Sequence, residues 1–332
     1  MTATFWEDKR VLVTGAGGFI GSHLVESLAQ AGARVRAFVR YNSRGDHGQL
    51  ARLQPQIYDQ LEIIPGALRD LPALLAAAQE VEVIFHLGAL ISIPYSYIHP
   101  IEVVESNVMG TVNVLSATRA CGVSRLVHTS TSEVYGTARH VPIGEDHPLQ
   151  GQSPYSASKI GADKLAESFY CAYGLPVTTV RPFNTYGPRQ STRAVIPTII
   201  TQALTQDVIY LGNLHALRDL TYVSDTVEGF LRAGETAGVE GQVFNLGSGR
   251  EVSIADLAQE ILDLIGRPVD IQVDPARLRP AKSEVQRLLS DNRLARERLG
   301  WTPQVHLRQG LQHTIEWISA NLELYHLAGY QV

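Results

Sequence analysis

The pattern of hydrophobic and polar positions changes near residue 184 and divides the chain into two parts. Before that point, short apolar runs alternate with longer segments in which apolar residues recur every three or four positions. Short apolar runs are typical of buried parallel strands, and the longer segments are typical of helices that pack on one side. The first part of the chain is therefore predicted to alternate strands and helices.

Six strand and helix units are predicted in this first part. The first is a strand at 10–14 followed by a helix at 19–31, which Gly32 ends. Right-handed crossovers would join such units into one doubly wound parallel sheet. The other predicted strands are 35–40, 61–65, 81–86, 125–130 and 177–182, and the long predicted helices are 101–120 and 155–173.

Beyond residue 184 the segments become shorter, and the loops contain more Gly, Pro and Arg. This mixed pattern predicts a smaller α/β lobe over the carboxyl edge of the sheet. No internal repeat, low-complexity tract or clean linker separates the two parts, so we expect the chain to pass between them more than once. The predicted fold class is α/β, a doubly wound parallel sheet with a smaller mixed lobe.

Composition excludes several classes of function. The 332 residues carry a net charge of −5 without a long basic block, which argues against nucleic acid and anionic membranes as partners. The two cysteines argue against a disulfide framework and suit a reducing cytoplasm, and we interpret both as small buried residues. Residues 1–10 lack a signal-peptide core, and no window approaches about 18 apolar residues, so a cytoplasmic protein is expected.

A glycine-rich loop, TGAGGFIG, follows the first predicted strand. In this position Gly15 permits a tight turn, Gly18 lets the backbone approach a pyrophosphate, and Gly21 lets helix and strand pack closely. The helix that starts at Phe19 and Ile20 offers unpaired N–H groups and the positive end of its dipole to phosphates. The loop predicts a dinucleotide-binding Rossmann unit, and a merely structural turn is the alternative.

The Gly-x-x-Gly-x-x-Gly spacing resembles the extended short-chain dehydrogenase/reductase family. In Rossmann units an acidic residue at the end of the second strand normally accepts a hydrogen bond from the adenosine ribose. Here Arg40 and Arg44 stand instead, and guanidinium groups suit a 2′-phosphate. We expect NAD or NADP, with NADP slightly favoured, and solvated arginines as the alternative. Ala67 replaces an aspartate that contacts adenine in relatives, so that contact is not expected.

The resemblance implies further cofactor contacts at the ends of the later strands and on the two long helices. His86, at the end of its strand, is interpreted as a structural residue. The expected cofactor contacts beyond the glycine loop and Arg40 are Leu68, Leu87, Gly88, Ala89, Asn107, Tyr155, Lys159 and Pro182.

Tyr155 and Lys159 carry the chemistry expected of this family. Four positions apart on a helix, they share one face. A phenol with a pKa of about 10 is a poor base at neutral pH, and a nearby ammonium stabilises its phenolate. The phenolate then takes a proton from a sugar hydroxyl as hydride leaves for the nicotinamide. Thr131, just after a strand end, would polarise that hydroxyl and complete a polar trio.

Three further runs narrow the resemblance. HTSTSEVYG at 128–136, RPFNTYGPRQ at 181–190 and LRD at 217–219 resemble the motifs of nucleotide-sugar 4,6-dehydratases. The whole pattern is most similar to bacterial dehydratases of legionaminic-acid-type pathways, which act on UDP- or GDP-linked N-acetylglucosamine. The resemblance covers nearly the full chain, and its motifs are less specific to one substrate than to the extended family.

Glu133 follows the hydroxyl residues Thr131 and Ser132, and a carboxylate at this position suits dehydration. Oxidation at carbon 4 gives a ketone that acidifies the proton on carbon 5, and Glu133 would remove it as general base. The 6-hydroxyl then leaves as water and hydride returns to carbon 6, so the cofactor is regenerated in each turnover. Many relatives carry Asp before this Glu to protonate the leaving group, and here that residue is Ser132. Our hypothesis is that Glu133 serves both steps, directly or through Ser132.

Local groups are needed to hold a nucleotide diphosphate on a mildly acidic protein. Asn184 and Arg218 resemble family positions that contact the substrate phosphates, Arg279 is a looser match, and Arg193 and Thr131 complete the expected substrate site. A guanidinium fork suits phosphate oxygens, and surface salt bridges are the alternative for the arginines. The eleven histidines show no metal-ligand spacing, so no metal is expected.

The resemblance also sets expectations for domains and assembly. Residues 1–184 would be mainly the dinucleotide-binding Rossmann domain, with return segments near 220–250, and 185–332 mainly the nucleotide-sugar-binding lobe. A homodimer that pairs through helices 101–120 and 155–173 is usual in the family.

Other activities remain open on these residues. A nucleotide-sugar 4-epimerase shares Tyr155 and Lys159 but needs no base at carbon 5, and UDP-glucuronate decarboxylases also carry Thr-Ser-Glu. A cofactor-sensing binding protein is the non-enzyme alternative, although such a sensor has no chemical reason to keep Thr131 with Tyr155 and Lys159. We expect an NAD(P)-dependent sugar-nucleotide 4,6-dehydratase.

Overall fold

A computed structural model describes residues 5–325. Residues 1–4 of the segment 1–10, which we interpret as lacking a signal-peptide core, lie outside the described residues. Twelve strands and twelve α-helices are present in this range. The strands are β1 (Arg10–Thr14), β2 (Arg34–Arg40), β3 (Glu62–Gly66), β4 (Val83–His86), β5 (Arg125–Thr129), β6 (Val177–Pro182), β7 (Asn184–Tyr186), β8 (Val208–Leu211), β9 (Leu217–Tyr222), β10 (Val243–Leu246), β11 (Glu251–Ser253) and β12 (Asp270–Val273).

Helices connect most of these strands. The α-helices are α1 (Phe19–Gln30), α2 (Pro55–Tyr58), α3 (Leu71–Ala77), α4 (Ile93–Ile98), α5 (Pro100–Val104), α6 (Gly110–Ala120), α7 (Pro154–Tyr173), α8 (Val195–Thr205), α9 (Val223–Glu235), α10 (Ile254–Ile265), α11 (Arg293–Leu299) and α12 (Leu307–Ala320). Short 3-10 turns lie at Gly48–Arg52, Ser132–Tyr135, Pro275–Arg277 and Leu322–Leu324.

Seven parallel strands form the central sheet, in the order β10-β6-β5-β4-β1-β2-β3. β1 lies between β2 and β4, so the sheet extends outward in both directions from the first strand. This order confirms the predicted doubly wound Rossmann sheet. The six predicted strands are all present within a few residues of their predicted bounds. The seventh, β10, comes from the second half of the chain and pairs with β6.

Apolar side chains cover both faces of the sheet. Val11 and Val13 point into a core that also contains residues of α1 and α9, whereas Leu12 points into the opposite core with residues of α3 and α6. Successive strand residues face opposite sides, so a strand buried on both faces is apolar throughout. Each such side chain stabilises the fold by about 1.5–3 kcal/mol when fully buried.

A smaller lobe has its own core. It contains a three-stranded sheet in the order β11-β9-β7 and a two-stranded sheet of β12 and β8. Ile199, Ile200, Leu257, Ile261 and Leu311 are fully buried between its helices. The predicted smaller mixed α/β lobe is confirmed. One residue separates β6 from β7, so the chain passes directly from the carboxyl edge of the large sheet into this lobe.

The long helix predicted at 101–120 is helical throughout, but it contains a π-helical turn at Glu105–Met109 between α5 and α6. π-turns of this kind often occur at functional positions. Asn107 lies in this turn and is buried. No helix within residues 5–325 is long and apolar enough to cross a membrane.

The interpretation of both cysteines as buried is wrong. Cys121 is half-buried and Cys171, in the last turns of α7, is exposed. Both are free thiols. The apolar pattern of α7 does not distinguish its packed face from its outer face near the end of the helix.

Candidate active site

The glycine loop between β1 and α1 fits a dinucleotide. Gly15 has a φ of +70°, and a Cβ there would lie 2.7 Å from the backbone nitrogen of Gly88. A Cβ on Gly21 would collide with the carbonyl oxygen of Gly15. Gly18 precedes α1 and provides no side-chain cap, so the first N–H groups of the helix stay open to a ligand. The loop is therefore shaped for close approach of a pyrophosphate.

A cavity of about 660 Å³ opens over this loop, and we call it the cofactor cavity. Its walls come from the carboxyl ends of the parallel strands, where doubly wound sheets bind their ligands. The expected cofactor residues that line it are Gly15, Gly18, Phe19, Ile20, Gly21, Arg40, Leu87, Ala89, Tyr155 and Pro182. Thr131, Ser132 and Glu133 line the same cavity.

Four of the expected cofactor residues lie behind the wall of the cavity. Leu68 packs against the backbone of Gly88, and Lys159 is buried beneath Tyr155 on α7. Asn107 supports the loop after β4: its side chain accepts a hydrogen bond from the Leu90 N–H at 2.7 Å and donates to the Leu90 carbonyl at 2.9 Å. Cofactor contacts of these residues stay predictions.

Local sequence fixes the helix that carries Tyr155 and Lys159. Ser153 and Ser156 form a capping box at its start, with Ser153 Oγ accepting from the Ser156 N–H at 3.1 Å. Gly174 ends the helix in the left-handed conformation, with φ +64°. Tyr155 and Lys159 then fall on the inner face, where both are buried.

Burial sets the proton affinity of both groups. Burial raises the pKa of Tyr155, a hydrogen bond with Thr131 opposes that rise, and the negative charge of Glu133 adds to it. Burial lowers the pKa of Lys159 to about 8, against the opposing charge of Asp163. Lys159 Nζ donates to the Thr129 carbonyl at 2.5 Å, so its ammonium lies directly under the end of β5. The oxidation site is thus desolvated and charge-sensitive.

The turn after β5 presents Glu133 to the cavity. Thr131 Oγ1 accepts from the Glu133 N–H at 3.2 Å and caps the 3-10 turn Ser132–Tyr135. The negative charge of Glu133 contributes to raising the pKa of Tyr155 and opposes the lowering of the pKa of Arg218 by burial, so this carboxylate lies within electrostatic reach of both groups. Ser132 is almost fully buried although it borders the cavity. A carboxylate and a phenol therefore share one wall, an arrangement that suits general acid–base chemistry.

A second cavity of about 320 Å³ adjoins the first, and we call it the arginine cavity. It brings together four of the expected substrate-binding residues, Asn184, Arg193, Arg218 and Arg279. Arg218 is buried and donates to Glu284 at 3.2 Å. Among the described residues, the buried Nη1 of Arg279 has no hydrogen-bond partner. A guanidinium nitrogen without a hydrogen-bond partner in a cleft can donate to a bound anion.

Several residues at the site were not found from the sequence. Asp46 and His47 line the cofactor cavity because the Gln49 N–H donates to the Gly17 carbonyl at 2.9 Å and draws their loop against the glycine loop. Gln190 lies in the wall that the two cavities share. None of these residues follows a strand directly, so no local pattern marks them. Within residues 5–325, no cluster of His, Cys, Asp and Glu is arranged to hold a metal.

A Rossmann sheet with an open glycine loop, a buried tyrosine and lysine on one helix face, and an adjoining arginine cavity defines an extended short-chain dehydrogenase/reductase. The family model described as GDP-mannose 4,6 dehydratase matches residues 12–314. The chain belongs to the NAD-dependent epimerase/dehydratase family of these enzymes.

Relatives and solved structures include both epimerases and dehydratases. A UDP-glucose 4-epimerase from Mycolicibacterium smegmatis is 38% identical over 93% of this chain and 98% of its own length. DesIV, a dTDP-glucose 4,6-dehydratase from Streptomyces venezuelae solved with NAD bound, has a TM-score of 0.85 and 31% identity, covering 95% of this chain and 98% of that one. A UDP-glucose 4-epimerase from Thermotoga maritima solved with UDP-glucose has a TM-score of 0.86 and 29% identity, covering 94% and 99%.

These similarities identify an enzyme of the sugar-nucleotide epimerase/dehydratase family. They do not choose between the two reactions, because both names occur among proteins that match nearly the whole chain. The choice depends on the residues at the site.

Replacing Gly15 with Ala should abolish tight dinucleotide binding while leaving a folded protein. The added Cβ would collide with the Gly88 backbone and strain a positive φ. Gly122→Ala is the matched control, since Gly122 has φ +63° and nothing within 4 Å of its Cβ. Calorimetric titration of both variants with NAD checks this. Equal NAD affinity in the two variants would show that the loop is only a turn.

Proposed function

We propose that this protein is a nucleotide-sugar 4,6-dehydratase that converts an NDP-hexose, UDP- or GDP-N-acetylglucosamine, into its 4-keto-6-deoxy form. The observation that carries the proposal is the carboxylate of Glu133 in the wall of the cofactor cavity beside Tyr155. Oxidation at carbon 4 requires only the Tyr155 and Lys159 pair. A second general base beside that phenol suits a reaction that also breaks the bond between carbon 5 and its proton.

The first step is oxidation of the 4-hydroxyl. A bound nicotinamide cofactor would accept hydride from carbon 4 and return it later to carbon 6. Tyr155 takes the hydroxyl proton as its phenolate, which has to form against the burial that raises the pKa of this residue, and Thr131 on the same cavity wall orients the same oxygen. The buried ammonium of Lys159 stabilises the developing negative charge in this dry site.

The second step is elimination of water. The ketone at carbon 4 acidifies the proton on carbon 5, and Glu133 removes it as general base. Glu133 then gives that proton to the departing 6-hydroxyl, directly or through the hydroxyl of Ser132. Ser132 borders the cavity next to Glu133 but is nearly buried, which favours the direct route. When hydride returns to carbon 6, carbon 5 takes a proton from solvent, which completes the 4-keto-6-deoxy sugar.

The arginine cavity holds the nucleotide diphosphate. Arg279 supplies an unpartnered Nη1, and Arg193 and Arg218 add positive charge on the same walls. Asn184 borders both cavities and is placed between the diphosphate and the reacting sugar. Under this proposal residues 1–184, with return segments near 220–250, mainly bind the cofactor, and residues 185–332 mainly bind the nucleotide sugar.

Nucleotide-sugar 4-epimerisation is the second candidate, because the Mycolicibacterium smegmatis relative carries that name. An epimerase uses the same Tyr155 and Lys159 pair to oxidise and reduce carbon 4. It needs no base at carbon 5, so Glu133 has no role in that reaction. The two candidates therefore differ in the effect of removing this carboxylate.

Replacing Glu133 with Gln should lower turnover by about 10²–10⁴-fold, the usual contribution of a general base, while slow reduction of the cofactor by substrate continues. Glu105→Gln is the control, because Glu105 pairs with Arg69 on the surface and lines neither cavity. Products are identified by mass spectrometry after incubation with UDP- and GDP-N-acetylglucosamine, dTDP-glucose and UDP-glucuronate.

Each candidate reaction changes the mass of the nucleotide sugar in a different way. A wild-type product that is lighter than its substrate by one water supports dehydration. A new sugar with the mass of the substrate supports epimerisation. Loss of carbon dioxide would identify a decarboxylase, and no product from any substrate would favour a cofactor sensor. Wild-type turnover in Glu133→Gln would overturn the assignment of this residue.

We infer that the cofactor is NAD rather than the slightly favoured NADP. Arg40 borders the cofactor cavity, but its guanidinium lies 3.7 Å from Glu102, and Arg44 is not part of the wall. The wall instead includes Asp46, whose Oδ1 accepts from the Gly48 N–H at 2.8 Å; the negative charge of this residue would repel a 2′-phosphate, and its other oxygen could accept from a ribose hydroxyl. DesIV, with a similar fold, was solved with NAD.

The cofactor-free protein should bind NAD at least about tenfold more tightly than NADP, since like charges close together are costly in a cavity. Asp46→Asn should narrow that ratio by improving NADP binding. Asp59→Asn, on an exposed helix end outside the cavity, should leave it unchanged. Calorimetry with both nucleotides measures the ratio. Tighter binding of NADP by the wild type would restore Arg40 and Arg44 as 2′-phosphate ligands.

We also propose a homodimer that pairs through α5, α6 and α7. Ile101 on α5, Met109 in the π-helical turn before α6, and Tyr173 on α7 are large apolar side chains exposed by 75%, 51% and 53%. Light scattering should give twice the monomer mass, and Ile101→Glu should give monomers because a buried unpaired charge is costly. Val273→Glu, exposed on the other lobe, should stay dimeric. A monomeric wild type would contradict the proposal.

A further inference from the structure

Asp163 lies under the oxidation site on the same helix face as Tyr155 and Lys159. The three residues stand four apart on α7, so they follow one another along a single stripe. The side chain of Asp163 is only 5% exposed. Its Oδ2 accepts from Ser130 Oγ at 2.7 Å, and its Oδ1 accepts from His128 Nε2 at 3.1 Å. Both partners belong to β5 or its end.

Arg181 completes the surroundings of this carboxylate. Its Nε and Nη2 donate to Asp163 Oδ2 at 3.2 and 3.0 Å from β6. Its Nη1 donates to the Tyr135 hydroxyl at 2.9 Å, and Tyr135 closes the turn that carries Glu133. One carboxylate therefore connects the helix of Tyr155 and Lys159 to both neighbouring strand ends and, through Arg181, to the turn of Glu133.

The charge of Asp163 is preserved despite its burial. Burial alone would raise the pKa of Asp163, but the hydrogen bond from His128 and the charges of Arg181 and Lys159 outweigh it and hold that pKa below its ordinary value. The carboxylate in turn opposes the effect of burial on the pKa of Lys159.

The titratable groups whose charges interact with Lys159 lie on three elements: Asp163 on its own helix, His86 on β4 and His128 on β5. Arg181, on β6, is paired with Asp163. Burial lowers the pKa of both histidines, so they are neutral at pH 7 and leave Asp163 as the compensating charge among these groups.

We propose that Asp163 is a positioning residue: it fixes α7 against the ends of β5 and β6, so that Lys159 and the turn of Glu133 stay in register with Tyr155, and it presents its negative charge to Lys159. It acts through these residues and touches neither ligand cavity directly. The catalytic consequence rests on the proposed function, whereas the effect on Lys159 does not.

Titration of Lys159 tests the charge directly and without turnover. The chain has four lysines, at 9, 159, 164 and 282, so the ε-carbon signals of a ¹³C-lysine sample can be assigned by single substitution. Lys159 should titrate near pH 8 in the cofactor-free wild type. Asp163→Asn removes the negative charge that opposes burial, so the midpoint should fall by about one pH unit or more. An unchanged midpoint in the folded variant would overturn the proposal.

Ser130→Ala provides a second variant in case Asp163→Asn does not fold. It removes one hydrogen bond to the carboxylate and keeps the charge, so the Lys159 midpoint should stay near that of the wild type. Because Ser130 also lines the cofactor cavity, NAD affinity is measured alongside turnover: turnover should fall about three- to tenfold, as expected for one lost buried hydrogen bond, while NAD affinity stays unchanged. Thr118→Val is the control, because Thr118 Oγ1 is equally buried but bonds only within α6, to the Val114 carbonyl at 2.7 Å. Identical turnover in Ser130→Ala and Thr118→Val would overturn the positioning role.

The pH profile of cofactor reduction separates positioning from simple loss of stability. If Lys159 acts as an ammonium, activity is lost as the pH rises through the pKa of Lys159. Because Asp163→Asn should lower that pKa, the alkaline limb of the pH profile of this variant should move to lower pH. A purely structural defect would lower the rate equally at every pH and would contradict the proposal. A wild type that oxidises no nucleotide sugar would overturn the proposed function, and the lysine titration would then still decide the inference about Asp163.

Discussion

Asp163 and Arg181 bring opposite charges into the protein interior, where neither can be left without the other. Removing one partner of such a buried pair costs about 3–5 kcal/mol, a large part of the 5–15 kcal/mol that stabilises a typical domain. The pair joins a helix to the edge of the parallel sheet at the place where the strands end. The helix that carries Tyr155 and Lys159 meets the strand ends, and through Tyr135 the turn that carries Glu133, at that junction.

The chemistry follows from which element carries which group. α7 supplies a phenol and an ammonium for oxidation, a reaction that epimerases and dehydratases have in common. Under the proposed function, the turn after β5 supplies Glu133, which would act on the oxidised sugar. The smaller lobe supplies the arginines. Because the two cavities share a wall, a nucleotide diphosphate bound in the arginine cavity would bring its hexose to the wall of the cofactor cavity that contains Tyr155 and Glu133.

The sequence alone predicted the features that depend on residues close together along the chain. Apolar runs and the glycine loop predicted the sheet, and spacing on one helix predicted the shared face of Tyr155 and Lys159. Long-range contacts were not predictable. The partner of Arg40 is Glu102, far along the chain, and Asp46 reaches the cofactor cavity only because its loop folds back on the glycine loop. β10 joins the sheet from the second half of the chain, within the range near 220–250 where the family resemblance, and no local pattern, led us to expect return segments.

Movement of hydride within the sugar tests the role of Glu133 most directly. The wild-type protein would be given a nucleotide sugar with deuterium on carbon 4, and the product would be examined by NMR and mass spectrometry. Dehydration predicts that deuterium appears on carbon 6 of a product that has lost one water, with a solvent proton on carbon 5. Deuterium that returns to carbon 4 of an intact, epimerised hexose would contradict the assignment of Glu133 as the base for elimination.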